Sequence, residues 1–331
     1  MYYPSQKEFL NKSRQGNLIP VYREILADLE TPVSAFLKIS EGAENAFLLE
    51  SVEGGEKWAR YCFLGAGAAT IIRTKGKAIT VEKNGQIESI ETEGDPLDAL
   101  KALMAGYQPV PVDGLPRFYG GAVGYLSYDM VRHFERLPNH TEDDLKLPDT
   151  QFMITDALLV FDNVTQKIKV VANVSIRELS DGEIRSAYQE GIERIEKIIG
   201  QLRKPLRILA DSATKGQKAP GLSDWSSSFK DRSTFEMAVA TAREKIHAGE
   251  AIQVVLAQRL SAGVSANPFD IYRSLRTINP SPYMFFLQFG SLKLVGSSPE
   301  VLVRLEEHQV EVRPIAGTRP RGSTVEKDQA F

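Results

Sequence analysis

The 331-residue chain has almost no cysteine, few histidines and no long apolar run. A single cysteine, Cys62, excludes an intramolecular disulfide and a cysteine-based zinc cage. The four histidines, His133, His140, His247 and His308, lack the spacing of a metal site and read as surface or packing residues. The N-terminal stretch MYYPSQKEFL has no apolar core of the kind a signal peptide carries. No segment approaches the roughly 20 apolar residues that span a membrane as a helix. These absences point to a cytoplasmic protein without a membrane partner. Charge of one sign is missing too. Forty Lys and Arg face 43 Asp and Glu, a net charge of −3, so nothing global points to nucleic acid. No G-x-x-x-x-G-K-[ST] occurs, and Gly120, Gly121 and Gly124 in YGGAVGYLSYD do not make G-x-G-x-x-G. Tight sheet packing suits them better than a phosphate cradle.

What is present is ordinary globular chemistry, 42% hydrophobic and 25% charged, at a length that suggests two domains. Residues 5–29 carry apolar stripes expected of a helix. Short alternating runs follow at 47–52, 60–67, 69–74, 78–83 and 86–91, with Asn84-Gly85 as a hairpin turn. Residues 152–174 read as another hairpin, turning near 163–166. The period then becomes helical over 181–203, where Ile184, Tyr188, Ile192, Ile195, Ile199 and Leu202 share a stripe. The polar segment 211–230 is expected to link a domain 1–210 to a second one, 231–331. In that second part STFE (233–236) reads as a capping box, with Gly249 as a stop. A strand is expected over 251–260, a helix over 268–277, and strands over 283–290, 292–300, 301–307 and 309–317. The fold class is therefore α+β.

Two stretches stand out chemically. In VRPIAGTRPRG (312–322), two prolines stiffen the backbone and Gly317 permits close approach of a ligand. Thr318 offers a hydroxyl, and Arg313, Arg319 and Arg321 supply positive potential, a set suited to a small carboxylate. A solvated basic turn is the plainer reading. On 251–260, Gln253, Val255, Ala257 and Arg259 would share one strand face, either an exposed sheet surface or the polar wall of a pocket.

The motifs LLESVEGGEKWARYCFLG (48–65), GGAVGYLSYD (120–129), QVVLAQR (253–259), NPSPYMFF (279–286), GSSPE (296–300) and RPIAGTRPRG (313–322) together resemble component I of the anthranilate synthases, which are chorismate-utilising enzymes. Cys62 stands where that family usually has serine. The resemblance implies a sheet-rich N-terminal domain packed on a partial chorismate-binding domain of two sheets covered by helices. It implies that ammonia adds to chorismate and pyruvate is eliminated, leaving anthranilate, in the first step of tryptophan biosynthesis. By the same resemblance Gly317, Thr318 and Gln253 contact chorismate, and Glu300 is the general acid that protonates the departing C4 hydroxyl. Gln253 cannot serve as the base that lysine provides in water-adding relatives. Ala316 replaces the nucleophilic lysine of aminodeoxychorismate synthases, the nearest enzymatic alternative. A tryptophan effector site is implied at Glu50, Ser51, Arg60, Pro282, Tyr283 and Met284, and a non-catalytic tryptophan-binding module is the alternative from another class. The implied partner is a glutaminase, component II, in a hetero-oligomer. Magnesium is the implied cofactor, with its ligands expected beyond Phe331, as relatives continue past KDQAF. On that ground the 331 residues are expected to be inactive alone.

Overall fold

The computed structural model describes residues 1–52, 60–92, 94–206, 225–314, 317 and 319–330. Among them the strands are β1 (Leu18–Leu26), β2 (Asn45–Glu50), β3 (Tyr61–Ala66), β4 (Thr70–Lys75), β5 (Ala78–Lys83), β6 (Gln86–Glu91), β7 (Ala122–Leu126), β8 (Thr150–Ile154), β9 (Ala157–Asp162), β10 (Lys167–Ser175), β11 (Ser226–Ser227), β12 (Leu260–Ser261), β13 (Tyr283–Phe289), β14 (Leu292–Ser298), β15 (Arg304–Glu306) and β16 (Gln309–Glu311). The helices are α1 (Gln6–Lys12), α2 (Pro32–Ile39), α3 (Leu97–Ala105), α4 (Asp181–Leu202), α5 (Arg232–His247), α6 (Pro268–Ile278) and α7 (Val325–Ala330). The fold is α+β, as expected.

The residues up to Leu206 join those from Ile271 onward in one compact unit, and the segment ending at Asp270 forms another. The first unit holds a seven-stranded antiparallel sheet, order β1-β10-β9-β3-β2-β13-β14, and a five-stranded one, order β6-β5-β4-β8-β7. Tyr22, Phe47, Leu158, Val171 and Leu287 of the first sheet meet Ile71, Val123 and Met153 of the second in one core. The opposite face of the seven-stranded sheet carries helices. Phe36 of α2 meets Phe286 edge-on at 5.5 Å between centroids. Val174 of β10 lies so near α4 that a Cβ on Gly191 would come within 2.5 Å of it. With both faces covered, seven successive residues of β10 are buried, giving a continuous apolar run in place of alternation.

Several sequence expectations need correction. Residues 5–29 are not one helix. α1 ends at Lys12 under a Ser5–Glu8 capping box, and 18–26 is a strand paired along its length with β10. The β-branched Ile19 and Val21 favour the pleated surface, and Pro20 is tolerated because β1 is an edge strand. The run 152–174 is not a single hairpin. β8 lies in the five-stranded sheet while β9 and β10 lie in the other, so the chain changes sheets at Thr155–Asp156. The cap of α5 is Asp231, which accepts hydrogen bonds from the Thr234 N–H and from the Ser233 and Thr234 hydroxyls, rather than Ser233. The expected strand 251–260 survives only as Leu260–Ser261. Among the described residues its one ladder is with Ser226–Ser227, and a strand exists only where a neighbour takes its hydrogen bonds. Similarly, 301–307 and 309–317 shrink to a three-residue hairpin, turned by Glu307 and His308 at positive φ. The division at 231 fails for the residues after Asp270, since β13 and β14 extend the sheet that contains β2. Residues 211–224 of the expected linker lie outside the described residues.

The glycines of YGGAVGYLSYD serve packing. A Cβ on Gly120 would sit 2.3 Å from the Asn173 amide, and one on Gly124 would sit 1.9 Å from the Gln151 carbonyl oxygen. Gly124→Ala must therefore push β7 off β8. We expect a loss of about 1–3 kcal/mol, the usual range for overpacking, read as a lower urea midpoint with an unchanged m-value.

Candidate functional site

The implied effector residues converge at one end of the seven-stranded sheet. β2 delivers Glu50, and the ladder pairs Glu50 directly with Met284 of β13. Beyond the strand end, the Val52 N–H donates to the Ser281 carbonyl at 3.1 Å, which keeps Ser51 beside the Ser281–Pro282 turn. Met284 is 1% exposed, whereas Pro282 and Tyr283 are half-buried. Two hydroxyls at this end, Ser51 Oγ and Ser281 Oγ, are buried without a hydrogen-bond partner. Orphaned buried hydroxyls cost free energy, and a ligand carrying both donors and acceptors would satisfy them.

Glu50 is 4% exposed, and its charge is compensated from α6. The Tyr272 hydroxyl donates to Oε2 at 2.7 Å, and Arg276 grips both oxygens, Nε to Oε2 at 2.9 Å and Nη2 to Oε1 at 2.8 Å. A carboxylate offers about four acceptor sites, so three bonds leave roughly one, on Oε1. An incoming ammonium would therefore share this carboxylate with Arg276. Burial, then the neighbouring Glu50 charge, pushes the Tyr272 phenol well up. Burial also raises the Cys62 thiol, to about 11, with Glu50 adding to the shift. Cys62 is thus an inert packing group.

Arg60 is already engaged. Its guanidinium holds Asp162 at 2.9 Å and lies over the Tyr61 ring, 4.8 Å from the centroid. Burial works against ionisation of Asp162. Bonds from Arg60 and from the Thr165 and Val164 N–H groups outweigh it and hold the carboxyl below its usual range. Sequence reasoning missed Tyr272, Arg276 and Ser281. The first two are four apart on α6, a spacing that puts them on one helix face, but nothing in the sequence says that this face meets Glu50.

The implied substrate residues are more scattered. Glu300 is half-buried after β14, its backbone bracketed by Ser298, whose hydroxyl donates to the Glu300 carbonyl at 2.9 Å. Gly317 is exposed, with open space where a Cβ would stand. Thr318 and Ala316 lie outside the described residues, as do 53–59 of the LLES motif. Gln253 is exposed and belongs to the other unit. The cationic loop is already partly neutralised. Arg313 pairs with Glu311 at 2.5 Å, and Arg321 pairs with Asp328 at 2.6 Å. Among the described residues Arg319 alone of the three forms no ion pair. Among those same residues, no group of three or more His, Cys, Asp or Glu is placed to hold a metal ion.

Residues 44–331 match the family described as chorismate binding enzyme. The chain belongs to that family. It is 44% identical to anthranilate synthase component 1 of Acetivibrio thermocellus, an alignment that covers 100% of this chain and 66% of the relative. It is 41% identical to the Aquifex aeolicus protein of the same name, over 98% of this chain and 64% of that one. Anthranilate synthase component I from Streptococcus pneumoniae TIGR4 superposes with a TM-score of 0.61 at 31% identity, covering 76% of this chain and 53% of that one. This chorismate-binding family member therefore spans about two thirds of the length of the curated relatives it matches.

Proposed function

We propose that this chain is the chorismate-utilising component of an anthranilate synthase. The carrying observation is identity of 44% to such a component along the whole chain. In this reading ammonia attacks C2 of chorismate while Glu300 protonates the C4 hydroxyl, which leaves as water, because hydroxide is a poor leaving group. Loss of pyruvate then gives anthranilate, so chorismate and ammonia become anthranilate, pyruvate and water. Gly317 and Thr318 lie against the substrate, with Arg319 the cation still available to its carboxylates. Gln253, having no basic lone pair, does not activate water. Ala316 offers no nucleophile, which favours direct attack by ammonia over a covalent route. A glutaminase component supplies the ammonia in a cytoplasmic hetero-oligomer.

Magnesium is the ion this chemistry implies. Among the described residues no group of three or more metal-capable side chains is assembled, and no step is assigned to the ion. The effector half of the reading places tryptophan at the Glu50–Ser51–Met284 end of the sheet. Its ammonium would share Glu50, its polar atoms would satisfy Ser51 and Ser281, and its indole would lie on Pro282 and Tyr283. In support, these residues are brought together from segments more than 200 positions apart and leave two hydroxyls unpaired.

The test supplies chorismate, ammonium and magnesium to this chain joined to the segment by which its relatives exceed it. Anthranilate fluorescence should rise with one pyruvate per anthranilate, while the 331 residues alone should give none. Accumulation of 4-amino-4-deoxychorismate would favour the aminodeoxychorismate synthase reading instead.

A further inference from the structure

A cavity of about 360 Å³ opens in the first unit, away from every residue assigned above. Leu18 of β1, Tyr107, Arg117, Tyr119, Asp156 and Asn173 are among the residues lining it. Its formal charges are the Asp156 carboxylate and the Arg117 guanidinium. Asp156 accepts a hydrogen bond from the Ala69 N–H at 3.2 Å, and among the described residues it has no cationic partner. Asn173 is 5% exposed. Its amide nitrogen donates to the carbonyls of Tyr119 and Thr155 at 2.9 and 3.2 Å, which fixes the orientation of the amide. That leaves Oδ1 buried with no donor at all. The uncompensated carbonyl dipole lies in the same wall as the Asp156 carboxylate. Of the two, Arg117 is engaged by Glu306. The Tyr107 phenol is pushed up by burial and by the Asp156 charge, so this ring sits within the field of that carboxylate.

We propose that this cavity binds a small organic ammonium ion, its charged nitrogen held by Asp156 and its apolar body between Tyr107, Tyr119 and Leu18. Three features favour a cation over a neutral or anionic guest. The free charge in the wall is negative, the buried orphan is an acceptor, and aromatic faces attract cations through their quadrupole. A carboxylate would meet Asp156 as a like charge in a partly desolvated site, where such contacts cost most. The volume suits a molecule of about a dozen heavy atoms, at the small end of ordinary ligand pockets. This site is independent of the substrate and effector readings above, and shares no residue with them.

The probe is phenethylamine, cationic at neutral pH, set against neutral 2-phenylethanol and anionic 3-phenylpropionate. Calorimetry on the 331-residue chain should show saturable binding of the amine only. Asp156→Asn, which keeps an acceptor for Ala69, should weaken it at least tenfold with thermal stability held. If that variant does not fold, Tyr107→Leu reports on the same pocket and should also weaken the amine at least tenfold. Ser51→Phe, outside the cavity lining, should leave amine binding to the cavity unchanged. No saturable binding, equal binding of all three probes, or full affinity in the substituted pocket would overturn the proposal.

Discussion

Replacing Arg276 by methionine is expected to destabilise the first unit by about 3 kcal/mol, the largest single-residue loss foreseen for this chain. Glu50 is 4% exposed and its carboxylate takes two of its three hydrogen bonds from that guanidinium. Removing the arginine leaves a buried carboxylate with only the Tyr272 hydroxyl at 2.7 Å. Breaking one side of a buried pair costs about 3–5 kcal/mol, because the surviving charge keeps its desolvation penalty without compensation. The lower end applies, since the Arg276 side chain is 35% exposed and part of its field is already screened. The check is chemical denaturation, with a second variant to assign the cause. Arg276→Met combined with Glu50→Gln removes the stranded charge and should recover much of the loss. Equal instability of the single and double variants would show that α6 packing, and not the charge, had been lost.

Ser51→Phe is expected to reduce tryptophan binding by at least 100-fold while leaving the fold intact. Ser51 follows β2, and its hydroxyl is buried without a partner beside the equally orphaned Ser281. A phenyl group there would occupy the space proposed for the indole and remove the hydroxyl. Little native hydrogen bonding is lost, because the Ser51 hydroxyl has no bond to lose, so far-UV dichroism and the urea midpoint should stay near the parent values. Calorimetry with tryptophan on the parent and the variant is the measurement. In the extended protein the same change should relieve inhibition while sparing turnover, since effector and substrate sites are coupled but distinct. Unaltered tryptophan affinity in Ser51→Phe would move the effector site elsewhere.

Much of the architecture is written locally. Asn84 and Gly85 take positive φ, as their hairpin requires, and the stripe of Ile184, Tyr188, Ile195 and Ile199 is the buried face of α4. The reading failed where a local pattern was compatible with two structures. Tyr22, Ile25 and Leu26 satisfy a helical stripe, but pairing with β10 over nine residues makes their segment a strand. Residues 251–260 have strand composition, yet only Leu260 and Ser261 find a partner among the described residues.

By itself, the sequence determined the α+β class, the periods of the long elements and, through its dispersed motifs, the family. These rest on side-chain chemistry and on spacing along the chain, which are local quantities. Only the tertiary structure decided that the residues from Ile271 onward rejoin the first unit, that Glu50 is clamped by Tyr272 and Arg276, and that Asp156 and Asn173 line one cavity. Pairing partners and burial depend on which distant segments meet. A buried charge or an orphaned hydroxyl is defined by its neighbours, and those neighbours come from anywhere in the chain.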